Sequence, residues 1–119
     1  MGNACCPDRG GIFLTDEFCG NFTIPCEDGA DPVTVWNSDF EVSGTVSVFY
    51  DRGCADPLTV DVLLAGSNVG TLTIPSQPGN TGNTRSITLP AFDELQITCD
   101  GTGNACTGKY CLNIHYPAP

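Results

Sequence analysis

The sequence predicts an all-β fold, a single jelly-roll sandwich of about eight strands with a flexible N-terminal arm. Three observations predict it. Apolar and polar residues alternate with period 2 in many short runs, whereas helical periodicity is missing. Gly and Pro are frequent, with 14 and 9 of the 119 residues. Clusters of turn-forming residues separate the alternating runs. A chain of this length holds one domain.

Eight runs have the alternation of strands. The first is the clearest, because Leu14, Phe18 and Phe22 share one of its faces. The runs cover residues 12–24, 33–36, 40–50, 58–65, 71–74, 85–89, 94–99 and 110–116. The first residues of the chain have no such pattern. We therefore expect a connector arm at residues 1–11 and a jelly-roll domain at residues 12–119.

Charge and composition argue against several functions. Acidic residues outnumber basic ones by 14 to 4, and the resulting net charge of −10 disfavours nucleic acids and anionic membranes as partners. The sequence places no nucleophile beside a general base, so we expect no enzyme activity. Eight cysteines are typical of a disulfide-stabilised protein from an oxidising environment. Because the first residues lack the basic and apolar segments of a secretion signal, we expect oxidation after release from a cell.

Alternation places two cysteines on the outside of the domain. Cys19 alternates with Phe18 and Phe22, and Cys111 alternates with Leu112 in the last run. Both should therefore point away from the core. Two interpretations remain open at this stage. The two cysteines bond each other across neighbouring strands, or they accept cysteines from another chain.

The arm carries the adjacent pair Cys5 and Cys6. Their side chains diverge in an extended backbone, so each can take a different partner. The segment from Cys6 to Ile12 spans about 20 Å at roughly 3.3 Å per residue, enough to reach a neighbouring subunit. The alternative is an intrachain bond that pins the N-terminus to its own domain.

The other four cysteines lie in loops or at strand ends, where intrachain disulfides form easily. Cys99 and Cys106 bracket one short loop and can close it. Cys26 and Cys54 follow strand ends and form the remaining pair, although the sequence does not fix the connectivity. The chain has no C-x₂-C pair and one His. We therefore expect no metal site and no cofactor.

Several motifs occur in a fixed order along nearly the whole chain. They are the Cys5-Cys6 pair, DEFC at 16–19, VSGTVSVFY at 42–50, TRSITL at 84–89, FDELQI at 92–97 and TGKYCLNIHY at 107–116. The Cys-Cys pair and the last motif are the most specific of them. With these motifs the chain resembles the subunits of endospore appendages, the protein fibres on spores of bacilli. Its cysteines at 26, 54, 99 and 106 are additional to the pattern of the better-known members.

The resemblance implies a structural subunit of a self-assembling extracellular fibre at the spore surface. Its partners are then copies of itself, joined by β-sheet edges, together with tip or anchor proteins that the sequence does not identify. It also implies intermolecular disulfides, in which Cys5 and Cys6 are the donors and Cys19 and Cys111 of subunits in the next layer are the acceptors.

The alternative function is a secreted, disulfide-stabilised binding module, such as a carbohydrate-binding or adhesin-like jelly roll. Such a module needs a platform of exposed aromatic side chains. The sequence offers Trp36, Phe49, Tyr50 and Tyr116 for that purpose.

Overall fold

The computed structural model describes residues 13–76 and 82–117, and these ranges contain six β-strands and no helix. The strands are β1 (Phe13–Ile24), β2 (Val33–Arg52), β3 (Leu58–Leu64), β4 (Ser67–Ile74), β5 (Asn83–Thr98) and β6 (Cys106–Pro117). All neighbouring strands are antiparallel, in the order β1-β6-β2-β5-β3-β4. The all-β prediction is confirmed. Among the described residues, no helix that could cross a membrane is found.

The expected count of about eight strands is corrected to six within the described ranges. Two pairs of predicted runs are each one long strand: β2 is 20 residues long and β5 is 16. The pairing of β2 with β5 loses its regular register between Asn37 and Val42 and again before Gly44. A strand bends and continues through such irregularities, while its side-chain alternation is interrupted. In the sequence this interruption looks the same as a turn, so one long strand was predicted as two short ones.

The two long strands build a sandwich by contributing to both of its layers. Residues 42–50 of β2 pair with β6 and with the first part of β5, and β1 lies at the edge of this layer. Residues 33–37 of β2 pair with 94–97 of β5, and β3 and β4 complete the second layer. This arrangement agrees with the predicted jelly roll.

Alternating side chains of both layers form one apolar core. In β2, the buried Val42, Val46, Val48 and Tyr50 alternate with half-buried or exposed residues. The remaining buried residues of the core include Phe22, Ile24, Leu58, Val60, Val62, Ile74, Phe92, Leu95, Ile97, Leu112 and Ile114. Buried residues therefore occupy every second position of a strand, which defines its inner face. A cysteine within a strand lies on the inner or the outer face according to its position in this alternation.

Candidate assembly site and cysteine cluster

Cys19 and Cys111 lie directly opposite each other on β1 and β6. Their Cα atoms are 4.1 Å apart, and their sulfurs form a disulfide within the chain. Both are on the outward face, because the buried Phe22 and Leu112 occupy the opposite parity of their strands. Cys19 is exposed and Cys111 is half-buried. The alternation predicted this outward placement.

The intrachain bond is the first of the two interpretations that the sequence left open. It occupies both sulfurs, so a bond to another chain requires that it opens. The donors Cys5 and Cys6, like the whole arm at residues 1–11, lie outside the described residues. Their bonding to Cys19 and Cys111 stays a prediction.

The surface around this disulfide is polar. Thr15 and His115 form a cross-strand pair on the same face, and the threonine hydroxyl lies 3.0 Å from Nδ1 of the histidine. Glu17 and Asn113 form the pair between them and the disulfide, and both are exposed. Both pairs are polar, and the exposed Cys19 places its side of the disulfide at the surface.

The other four cysteines meet at one end of the sandwich. Cys26 follows β1, Cys54 follows β2, Cys99 follows β5 and Cys106 begins β6. The structure joins Cys26 to Cys54 and Cys99 to Cys106, the two pairs that loop position favoured. All four Sγ atoms lie within 4.8 Å of one another. The Sγ of Cys99 is 3.6 Å from those of Cys26 and Cys54, so the two disulfides are in contact.

The core packs tightly against this four-cysteine cluster. Cys99 and Cys106 are fully buried, and Cys26 and Cys54 are half-buried. The hydroxyl of Tyr50 donates a hydrogen bond to the carbonyl oxygen of Ala55 at 2.7 Å and lies 3.7 Å from Sγ of Cys106. Burial raises the pKa of Tyr50 above its ordinary value.

Backbone contacts fix the loops that carry these cysteines. The amide of Gly101 donates to the carbonyl oxygen of Glu27 at 3.0 Å, and the amide of Gly29 donates to the carboxylate of Asp100 at 2.7 Å. Gly53 is required by close approach, because a Cβ there would lie 2.5 Å from Cα of Cys106. The cluster is therefore held by its loops as well as by its disulfides.

A second surface feature lies at the β1 edge. Leu14 and Phe18 are on the face of β1 that further along enters the core, yet they are 38% and 43% exposed. Leu14 pairs with Tyr116, whose ring lies 5.3 Å from that of the 52% exposed Phe40. The Tyr116 hydroxyl donates to the carboxylate of Asp16, which raises the pKa of Tyr116. We call Leu14, Phe18, Phe40 and Tyr116 the edge patch.

The sequence profile of the family described as endospore appendages matches residues 3–118. The chain belongs to the endospore appendage family. This confirms the resemblance inferred from the sequence motifs, and it gives the chain a structural role as a subunit of an appendage fibre at the spore surface. None of the curated proteins compared with this appendage subunit matches it.

Two solved structures support the fold of this appendage subunit. The structure of Bacillus endospore appendages, which form disulfide-linked pili, has a TM-score of 0.66 and 22% identity; the match covers 98% of this chain and 97% of that one. The VP2 subviral particle of infectious bursal disease virus has a TM-score of 0.53 and 12% identity, and the match covers 88% of this chain and 33% of that one. At these identities, the similarity shows a common jelly-roll-like fold.

The aromatic platform of the alternative binding function is not formed by the side chains proposed for it. Tyr50 is 1% exposed, inside the core of the appendage subunit. Trp36 packs on Phe92, with ring centroids 5.9 Å apart. Phe49 and Tyr116 remain at the surface, but Tyr116 belongs to the edge patch. No observation in the described residues therefore favours a carbohydrate-binding module.

Proposed function

We propose that this chain polymerises with copies of itself and that its arm joins successive subunits through disulfides to Cys19 and Cys111. The observation that carries the proposal is the position of these two cysteines. They lie side by side on the outward face of the β1–β6 edge pair, where arm cysteines of one neighbouring subunit or of two can reach them. Cysteines in the core cannot serve this purpose, because no other chain reaches them.

The length of the arm supports this function. From Cys6 to the first described strand, the arm covers roughly 20 Å when extended. The smallest extent of the described part of the subunit is 18 Å. The extended arm is therefore about as long as the sandwich is thick, a length that suits a bond to a cysteine pair on a neighbouring subunit packed against it.

Sheet edges supply the non-covalent part of the contact. β1 and β4 are at opposite ends of the strand order, and within the described ranges each has one strand neighbour. Pairing the β1 edge of one subunit with a different edge of the next is heterologous, and repetition of such a contact extends a filament or closes a ring. The exposed Leu14, Phe18 and Phe40 of the edge patch add apolar area that a second copy would cover.

The covalent step is thiol–disulfide exchange. The thiolate of Cys5 of the partner subunit attacks the Cys19–Cys111 disulfide, forms one intermolecular disulfide and releases the second acceptor as a thiolate. That thiolate and Cys6 of the partner subunit then lose two electrons to a soluble disulfide. The oxidant takes up two protons and leaves as two thiols. Each exchange therefore replaces one intrachain bond by two intermolecular bonds.

Mass spectrometry of fibres digested without reduction tests the proposal. We expect peptides that join Cys5 or Cys6 to Cys19 or Cys111, and a ladder of oligomers on non-reducing gels that collapses to monomer after reduction. The change of Cys5 and Cys6 to Ser should abolish the ladder, whereas the change of Cys26 and Cys54 to Ser should keep it. If fibres retain the Cys19–Cys111 peptide and no peptide joins an arm cysteine to either residue, the proposed linkage is wrong.

A further inference from the structure

The four-cysteine cluster has a property that two separate disulfides do not require. Each disulfide needs only its own two cysteines to meet. Here the chain brings all four Sγ atoms within 4.8 Å of one another, although their residues come from four different places in the sequence. A set of four sulfurs around one point is the arrangement that a tetrahedral metal ion requires.

We propose that Cys26, Cys54, Cys99 and Cys106 bind one zinc ion as thiolates in the reduced chain, before their disulfides form. A Zn–S distance of about 2.3 Å in a tetrahedral site places the sulfurs roughly 3.8 Å apart. The Sγ of Cys99 already lies 3.6 Å from those of Cys26 and Cys54. The bonded sulfurs must separate, and the Cα separations of 6.3 Å and 6.0 Å in the two pairs leave room for this by side-chain rotation.

The surroundings of the cluster suit a closed structural site. Cys99 and Cys106 are buried, which protects half of the coordination sphere from water. A surface groove of about 240 Å³, lined by Cys54 and also by Arg52, opens at one side of the cluster. The acidic Glu27 and Asp100 in the adjoining loops attract a divalent cation.

The chemistry of loading and release balances. On loading, four thiols lose four protons and their thiolates bind one Zn²⁺, so the site carries a charge of −2. On oxidation, the four thiolates lose four electrons to two molecules of a soluble disulfide such as oxidised glutathione. Two protein disulfides form, Zn²⁺ leaves, and the oxidant becomes four thiols after taking up four protons. The metal and the disulfides therefore hold the same loops at successive stages.

Two full-length variants with equal numbers of thiols test the site. In the cluster-only variant, Cys5, Cys6, Cys19 and Cys111 are all changed to Ser. In the cluster-free variant, Cys26, Cys54, Cys99 and Cys106 are changed to Ser instead. Each chain is reduced without air by a phosphine, titrated with Co²⁺ and then with Zn²⁺, and its bound metal is measured by elemental mass spectrometry after gel filtration.

We expect the cluster-only variant to bind one metal ion per chain, with the absorption bands of tetrahedral cobalt thiolate, and to release zinc when oxidised glutathione is added. The cluster-free variant should show neither. A cluster-only chain that binds no stoichiometric metal, or a cluster-free chain with the same spectrum, overturns the proposal. Adding Cys54→Ser to the cluster-only variant should weaken binding at least about tenfold and shift the cobalt bands; unchanged affinity and bands would equally overturn it.

This test does not depend on the function in the fibre. The cluster-only variant lacks the arm cysteines and their acceptors, so it measures zinc binding in a chain that cannot form the proposed intermolecular bonds. A failure of the zinc site leaves the linkage proposal standing, and a failure of the linkage leaves the zinc site standing.

Discussion

Replacing Cys19 and Cys111 together by Ser tests whether the bond between them stabilises the free subunit. The change is made in a Cys5→Ser/Cys6→Ser background, so that no arm cysteine takes part. The bond closes a segment with a sequence separation of 92, for which the chain-entropy relation gives about 4.6 kcal/mol. The Cys26–Cys54 and Cys99–Cys106 disulfides lie within that segment and already bridge 28 and 7 of its residues, so they shorten it. Applied to the roughly 57 residues that remain, the relation gives about 4.2 kcal/mol.

We therefore expect the double serine variant to lose about 4 kcal/mol in its free energy of unfolding, with a fall in Tm of roughly 12–24 °C. Urea unfolding followed by β-sheet circular dichroism measures the first quantity, and a thermal scan measures the second. The matched control is Glu17→Ser with Asn113→Ser, the exposed cross-strand pair beside the disulfide. Because no covalent bond is lost, the control should change stability by no more than about 0.5 kcal/mol per site.

The result that refutes this argument is a double serine variant as stable as its background. The two cysteines would then be unbonded in the free subunit and would contribute nothing to its unfolding equilibrium. They would also be available to an arm without prior exchange. The proposed linkage would survive, but its first step would be direct oxidation.

Three further predictions concern the fibre, the edge patch and the core. Fibres should withstand hot detergent and dissolve only when a thiol reductant is added, because intermolecular disulfides remove the dependence of assembly on subunit concentration. Gels and microscopy measure this, and fibres that dissolve equally well without the reductant contradict it. Phe18→Ser should slow or prevent assembly, which light scattering measures. It should change subunit stability by less than about 1 kcal/mol, because Phe18 is 43% exposed. The control is Phe49→Ser, at a 37% exposed position outside the patch, and this variant should assemble. Tyr50→Phe should cost about 1–3 kcal/mol, because the buried carbonyl of Ala55 loses its donor. Since burial raises the pKa of Tyr50 above its ordinary value, the stability that its neutral form gives is complete below about pH 10 and falls as the pH rises further. The free energy of unfolding, measured across that pH range, should therefore fall less steeply for Tyr50→Phe than for the unchanged chain.

The faces of the strands could be predicted because parity alone decides them. Cys19 and Cys111 needed only their neighbours in sequence, Phe22 and Leu112, to be placed outward. The number of strands could not be predicted in the same way. Alternation fails both at a turn and at an irregular register within a strand, such as the one between Asn37 and Val42, and the sequence gives the same signal in both cases.

The four-cysteine cluster escaped prediction because spacing rules for metal ligands consider only residues that are close in sequence. The signal that could have found it is strand pairing. Once the first and last strands are paired antiparallel, Ile24 stands opposite Cys106, which brings Cys26 to the start of the last strand. The pairing of Arg52 with Thr107 does the same for Cys54. The order of the strands in the sheet was the missing information.

The disulfides of this subunit differ in their exposure to solvent. The disulfide between Cys99 and Cys106 is buried against Tyr50, where no soluble thiol reaches it without local opening of the fold. Cys19 is exposed on a polar strand face. The proposed exchange with an arm would therefore meet Cys19 at the surface, while the buried Cys99–Cys106 disulfide would stay protected inside the fold. If the Cys99–Cys106 disulfide were as exposed as Cys19, a thiol would exchange with it as readily, so its burial is what would protect it during the proposed linkage.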